Sequence, residues 1–277
     1  MTLVSPAQLM EDANHGRGVA AFNLILIEQL EAFVDAAEHS SSGLILQLSQ
    51  NAAHYHGDIA PIGTAVVRAA QRASVPIAVQ LDHADDLALI AEAVDLGFTS
   101  VMFDGSHLEH RENAARTAAV AEELHRSRIW VEAELGEIGG KDGVHSAIAR
   151  TDPQEAARFV AETGVDGLAV AVGSSHAMAD RTAVIDLDLI RRIRGEVDVP
   201  LVLHGSSGVA DDLIRGACAA GIRKVNVGTL FNSVLTQTIR QHLENDAEVL
   251  DPRAYMGRAR DAVTAEASRL LAAISGR

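Results

Sequence analysis

Three histidines of the chain each follow a short apolar run. They are His83 after Ile77–Asp82, His176 after Leu168–Ser175 and His204 after Val199–Leu203. Apolar runs of this length, bounded by polar residues and glycine, are typical of buried parallel strands. The carboxyl ends of such strands are where α/β barrels place catalytic residues, and neutral imidazole is the commonest metal ligand. Three imidazoles converging there would form a catalytic zinc site with one position open for substrate.

Each of these histidines taken alone is explained equally well as a hydrogen-bonded polar residue at a strand end. The occurrence of all three at strand ends favours the metal site. Four other histidines lie in polar or helical contexts, and we predict that they are on the surface: His54, His56, His107 and His110.

Carboxylates lie at three of the predicted strand ends, one of them beside His83. Asp82 directly precedes His83. Adjacent side chains on a strand point to opposite sides, but a turn at the strand end would bring both into the barrel mouth. Asp82 could then shuttle protons, or serve only as a hydrogen-bond partner or helix N-terminal acid. Asp104 and Glu134 end two further strands, where they would either bind a second cation or orient the ligand histidines.

Turns rich in glycine and small residues follow the seventh and eighth predicted strands. In barrel enzymes the loops after these two strands commonly bind phosphate, since backbone N–H groups and a helix start can approach its oxygens. Either turn alone is an ordinary strand-to-helix connection, whereas their joint occurrence favours phosphate. The candidate phosphate ligands are Gly205, Ser206, Ser207, Asn226, Val227, Gly228 and Thr229.

Eight apolar runs alternate with segments of helical periodicity along the 277 residues. This order predicts an α/β fold, a (β/α)8 TIM barrel, formed as a single domain over residues 1–277 with extra C-terminal helices beyond Leu230. The segment Leu135–Val144 interrupts the rhythm, and we predict a mobile loop over the mouth. The predicted strands are Gly18–Phe22, Gly43–Leu48, Ile77–Leu81, Ser100–Phe103, Ile129–Ala133, Gly167–Val172, Leu201–Leu203 and Lys224–Val227.

The composition excludes several classes of partner. A formal net charge of −15 argues against nucleic acid and against an anionic membrane surface. The single cysteine, Cys218, allows no intrachain disulfide and is predicted to be buried. The amino-terminal residues lack the pattern of a signal peptide and no apolar segment is long enough to span a bilayer, so a soluble cytoplasmic protein is expected.

Over nearly its whole length the chain resembles the class II, metal-dependent fructose-bisphosphate and tagatose-bisphosphate aldolases. The motifs that carry this resemblance are Ala21–Asn23, Gln47–Ser49, Tyr55 with Gly57, Leu81–His83, Met102–Ser106, Val131–Gly136, Leu203–Gly208, Val225–Thr229 and Asp251–Arg253.

The resemblance implies a role for each matching residue. His83, His176 and His204 would bind the catalytic zinc, Asp82 would exchange a proton with the hydroxyl at the bond cleaved, and Asp104 and Glu134 would hold a second metal. The two turns, together with Asn23, Ser49 and Ala177, would bind the dihydroxyacetone phosphate half and, beside Ala177, a monovalent cation. Arg253 would reach the site of a neighbouring subunit in a homodimer or homotetramer.

The activity implied is the reversible cleavage of a phosphorylated ketose to dihydroxyacetone phosphate and an aldehyde through a metal-stabilised enediolate. Two alternatives stay open: a metal-dependent lyase of the same fold acting on a different or unphosphorylated sugar derivative, and a catalytically impaired sugar-phosphate-binding relative.

Four departures from the family pattern concern the substrate rather than the metal. The loop Gly139–Gly143 is one residue short and lacks the family's glutamate, unless Asp142 replaces it. Ala177 stands where the family has glycine, Leu26 where asparagine is common, and Leu230 where an acidic residue is common.

Overall fold

The computed structural model of the chain describes residues 2–12, 16–135, 150–174 and 181–276. Its centre is a closed barrel of eight parallel strands in sequential order, in which the last strand pairs with the first. The predicted fold class is therefore confirmed. The strands are β1 (Val19–Asn23), β2 (Leu44–Ser49), β3 (Ile77–Ala84), β4 (Ser100–Phe103), β5 (Trp130–Glu134), β6 (Gly167–Ala169), β7 (Leu201–Leu203) and β8 (Ile222–Val227).

Helices surround the barrel and bury their apolar faces against it. Two of them, for example, have an aspartate N-cap at the start and a glycine just after the end. Asp86 and Asp152 accept backbone N–H bonds as N-caps, and Gly97 and Gly164 adopt positive φ after the last turns. The helices are α1 (Pro6–Asp12), α2 (Ile27–His39), α3 (Gln50–His56), α4 (Ile59–Arg72), α5 (Leu87–Asp95), α6 (His110–Arg126), α7 (Pro153–Thr163), α8 (Leu187–Glu196), α9 (Asp211–Ala220), α10 (Thr229–Asn245) and α11 (Pro252–Ser275).

The C-terminal extension beyond β8 consists of two helices. Helix α11 packs against both α2 and α9, so it takes the place in the outer ring between the first and last barrel helices. Helix α10 is therefore the additional element. It starts directly after β8 at the carboxyl end of the barrel and packs along α11.

Three strands, β1, β2 and β5, end one residue later than predicted, and two others, β3 and β6, end three residues away from the predicted position. β6 ends at Ala169, and after Val170, whose N–H still donates to Val202 of β7, the chain leaves the sheet: Ala171 exchanges hydrogen bonds with Thr151 instead of with a neighbouring strand. β3 continues to Ala84, and its pairing with β4 is irregular between Leu81 and Ala84. This irregularity lies at Asp82 and His83, the pair singled out in the sequence.

The core is aliphatic and alanine-rich, and Cys218 is buried in it as predicted. The predicted surface position of four histidines, His54, His56, His107 and His110, is also confirmed. Among the helices that the structure describes, none is both long and apolar enough to cross a membrane.

One core contact predicts the effect of a small substitution. A Cβ atom at Gly167 would lie 2.4 Å from Cη2 of the buried Trp130 ring. We expect Gly167→Ala to lower the free energy of unfolding by about 1–3 kcal/mol through overpacking. Gly195→Ala is the matched control, because a Cβ there meets nothing within 4 Å and alanine should stabilise α8 by about 0.5–1 kcal/mol. Urea denaturation of both variants measures this, and equal stabilities would contradict it.

Candidate active site

The irregular end of β3 turns two consecutive side chains toward the same cavity. His83 has φ +48°, a left-handed conformation that residues other than glycine rarely adopt. The usual alternation of a strand is thereby broken, and Asp82 and His83 both line a cavity of about 320 Å³ at the carboxyl end of the barrel. His204, after β7, lines the same cavity.

His83 and His204 face each other through one nitrogen each. His83 Nε2 lies 3.0 Å from His204 Nδ1, and the rings are at 80° to one another. Two nitrogens bound to one tetrahedral zinc ion at ~2.05 Å would be about 3.3 Å apart. Asp82 lies beside this pair, with one carboxylate oxygen within 4.8 Å of both histidine nitrogens. The donors present therefore fit a zinc ion.

A carboxylate holds the opposite nitrogen of each ring. His83 Nδ1 lies 2.6 Å from Asp104 Oδ2, and His204 Nε2 lies 2.8 Å from Glu132 Oε1. Histidine ligands of metals commonly have such a partner, which fixes the ring and the tautomer. In this arrangement each ring has one nitrogen turned to a carboxylate and the other turned to the cavity.

Asp104 and Glu134 form a second group with His83. One atom from each of the three lies within 4.8 Å of the others, and Glu134 Oε2 is 3.9 Å from His83 Nδ1. Ser106 donates to Asp104 Oδ1 through both its backbone N–H and its hydroxyl. The contact of 2.6 Å between Asp104 and His83 fits the orienting role, and the set of donors fits a second cation as well.

Asp82 is held by side chains from β1 and β2. Asn23 Nδ2 donates to Oδ2 at 2.7 Å, and Gln47 Nε2 donates to Oδ1 at 3.0 Å. Both partners are donors, so the site is arranged for an ionised carboxylate, which only accepts. The side chain is 2 % exposed and cannot swing out without losing both bonds.

The two small-residue turns close one side of the cavity. Gly205, with φ +66°, leads into a short 3-10 turn at Ser206–Gly208, and Gly228 precedes α10. The turns touch each other, since Leu230 N–H donates to Ser207 Oγ at 3.1 Å. Their residues that line the cavity are Gly205, Ser206, Ser207, Asn226, Gly228 and Thr229.

The remaining predicted residues occupy different positions. Asn23 and Ser49 line the cavity, whereas the side chain of Val227 is buried in the hydrophobic core. The Arg253 side chain is 89 % exposed and paired with Asp251, away from this cavity. The predictions for His176, Ala177 and Asp142, and for most of the loop after β5, lie outside the described residues.

Four polar side chains of the site were missed by the sequence reasoning. Gln47, Gln80, Glu132 and Lys224 are fully buried inside the barrel. The signal that could have found them is a polar residue in the middle of an otherwise apolar strand. Burial opposes ionisation of Glu132, but the Lys224 charge and the hydrogen bond of His204 outweigh it and lower the Glu132 pKa from 4.5 to about 2.

The chain is similar to known proteins over nearly all of its length. The family model described as "Fructose-bisphosphate aldolase class-II" matches residues 4–276. The chain is 36% identical to a fructose-bisphosphate aldolase of Geobacillus stearothermophilus, covering 96% of this chain and 94% of the relative. It is also 36% identical to one of Staphylococcus aureus, with 95% and 94% covered. Among solved structures, the YdjI aldolase of Escherichia coli K12 superimposes with a TM-score of 0.85 at 29% identity, over 98% of this chain and 97% of that one.

The lowered pKa of Glu132 predicts a specific acid sensitivity of the metal-free protein. A carboxyl group whose pKa falls from 4.5 to about 2 on folding contributes stability above pH 4.5 and loses it as the pH falls toward 2. The difference in unfolding free energy between wild type and Glu132→Gln should therefore shrink by about 1.4 kcal/mol between pH 6 and pH 3.5. Urea titrations with chelator present measure it. A difference that does not change with pH would contradict the assignment.

Proposed function

The chain belongs to the class-II fructose-bisphosphate aldolase family, and from this premise we propose that it is a zinc-dependent lyase that cleaves a phosphorylated ketose reversibly to dihydroxyacetone phosphate and an aldehyde. The observation that carries the proposal is the placement of Asp82, His83 and His204 in one cavity with the two small-residue turns. Metal ligands, a proton carrier and a phosphate site then lie within reach of one small substrate.

The proposed ligands of the zinc ion are His83 and His204, together with His176 on the strength of the family resemblance. When bound, zinc supplies a Lewis acid that stabilises the negative charge left on the ketone half when the carbon–carbon bond breaks. The residues of this chain prepare the site for it, because Asp104 and Glu132 turn one nitrogen of each ring toward the cavity.

Asp82 is proposed as the general base and acid. Cleavage requires removal of the proton from the hydroxyl on the carbon that becomes the aldehyde, one of the two carbons of the bond that breaks, and the reverse reaction returns this proton. The Asp82 carboxylate lines the cavity and is held on both oxygens by Asn23 and Gln47. A carboxylate fixed in this way is oriented before the substrate arrives, which reduces the entropic cost of the step.

The phosphate of the substrate is proposed to bind at the turns after β7 and β8. The described residues that line the cavity include no lysine or arginine. Recognition by this part of the chain would therefore rest on hydroxyl groups and on backbone N–H groups, with the start of α10 adding a favourable dipole. A protein of net charge −15 attracts an anion only through such local arrangements.

We further propose a homodimer or homotetramer located in the cytoplasm. Arg253 stands exposed at the start of α11, where it can extend from one subunit toward the site of another. The molecular mass in solution tests this assembly, and a monomer at assay concentration would refute it.

The role of Asp82 predicts a separation of catalysis from metal binding. Asp82→Asn keeps the size of the side chain and removes the proton-accepting carboxylate, so kcat should fall by about 100- to 10,000-fold. Zinc content should stay near that of the wild type. Steady-state kinetics and metal analysis of the same preparation measure both, and His204→Ala is the matched control because it should lose zinc as well. An Asp82→Asn variant with undiminished kcat would remove Asp82 from the reaction.

The proposed phosphate site predicts a dependence on substrate phosphorylation. The zinc-loaded enzyme should cleave ketose 1-phosphates or 1,6-bisphosphates and should lose most of its kcat/KM when the 1-phosphate is missing. Chelator should abolish the activity, and zinc should restore it. A retro-aldol screen of phosphorylated and unphosphorylated ketoses measures this. Equal activity on both classes would favour the alternative of a lyase acting on an unphosphorylated sugar derivative.

A further inference from the structure

A buried ion pair lies inside the barrel beneath His204. Lys224 Nζ of β8 donates to Glu132 Oε2 of β5 at 2.6 Å, and Gln80 Nε2 of β3 donates to the same oxygen at 3.2 Å. Both charged side chains are 0 % exposed. Branched apolar side chains usually fill this position in barrels of this class.

Stability alone does not account for such a pair. Removing two charges from water costs several kcal/mol per ion, and replacement of a buried pair by apolar residues is often neutral or stabilising. The pair must therefore be explained by what it touches. Besides Lys224 and Gln80, the side chain of Glu132 has one further hydrogen-bond partner in the described part of the chain, the His204 ring.

The hydrogen-bond pattern fixes the position of the His204 proton. Glu132 Oε2 already accepts from Lys224 and Gln80, and Oε1 lies 2.8 Å from His204 Nε2. Nε2 has a second neighbour, the Asn226 amide nitrogen at 3.1 Å, but the Glu132 contact is the shorter one and a carboxylate can only accept, which places the hydrogen on Nε2. The lone pair of the ring is then on Nδ1, the nitrogen that faces His83 across 3.0 Å.

We propose that Glu132 and Lys224 are positioning residues that hold the His204 ring with its Nδ1 lone pair directed at the metal site. Lys224 acts through Glu132: it anchors Oε2 and thereby leaves Oε1 facing the ring. The inference rests on the proposed zinc site, and it assigns to the pair a contribution to metal affinity rather than to folding.

The test compares zinc affinity in three variants: Glu132→Gln, Lys224→Met and the double variant. The amide of Glu132→Gln can present its NH2 group to His204 and so favour the wrong tautomer. We expect the dissociation constant of zinc, measured by competition with a chromophoric chelator, to rise by about 10- to 100-fold in this variant and in the double variant, and less in Lys224→Met. Thr163→Val is the matched control, because it removes a buried hydrogen bond within α7 and should leave zinc affinity unchanged.

The double variant separates positioning from folding. It contains neither buried charge, so the metal-free protein should be at least as stable as the wild type toward urea, while zinc affinity stays low. A double variant that binds zinc as tightly as the wild type would overturn the inference and leave the proposed function intact. A wild type that binds no zinc would instead refute the proposed function.

A measurement on the unmodified protein covers the case in which the variants do not fold. Long-range 1H–15N spectra of the metal-free wild type report which nitrogen of each histidine carries hydrogen, and His204→Gln identifies the His204 signals. We expect hydrogen on Nε2 of His204. Hydrogen on Nδ1 would overturn the inference.

Discussion

The geometry of the site depends on two carboxylates, each of which contacts one nitrogen of an imidazole ring. Asp104 fixes His83 and Glu132 fixes His204, each through the nitrogen that faces away from the cavity. Imidazole has two chemically different nitrogens, and a metal ligand is useful only if the correct one carries the lone pair. Asp82 and the two small-residue turns line the same cavity as the pair of nitrogens thus exposed.

Two local costs accompany this arrangement. His83 adopts a left-handed backbone conformation that costs roughly 1–3 kcal/mol for a residue other than glycine. Glu132 and Lys224 are both fully removed from water. The surrounding barrel tolerates both costs because β3 pairs regularly with β2, β5 pairs regularly with both of its neighbours, and β8 pairs regularly with β1. Strain and buried charge collected at one place are typical of a site maintained for chemistry.

The acidic character of the chain shapes how the proposed substrate would be bound. A net charge of −15 repels sugar phosphates at a distance, and the described lining of the cavity contains no basic side chain. Binding of a phosphorylated ketose would then depend on contacts made at short range, by zinc at the ketone end and by N–H and hydroxyl groups at the phosphate. This division suits a site that recognises one end of its substrate strictly.

The sequence by itself determined the order of eight strands, the strand-end positions of His83 and His204, and the places of the two small-residue turns after β7 and β8. These follow from short-range signals, since apolar runs, N-caps and glycines act within a few residues of one another. The sequence did not determine where β6 ends, because Ala171 bonds to Thr151, a residue distant in the chain. Nor did it determine that Asp82 and His83 face the same cavity, which required the left-handed turn at His83.

Only the tertiary structure decided the roles of the buried polar residues. Gln80, Glu132 and Lys224 come from three different strands, and nothing in their local sequence indicates that they meet. Barrel closure brings them together beneath His204, and their pairing sets which nitrogen of that ring faces the cavity. Strand ends are encoded locally, whereas hydrogen-bond partners across a barrel depend on the register of all the strands between them.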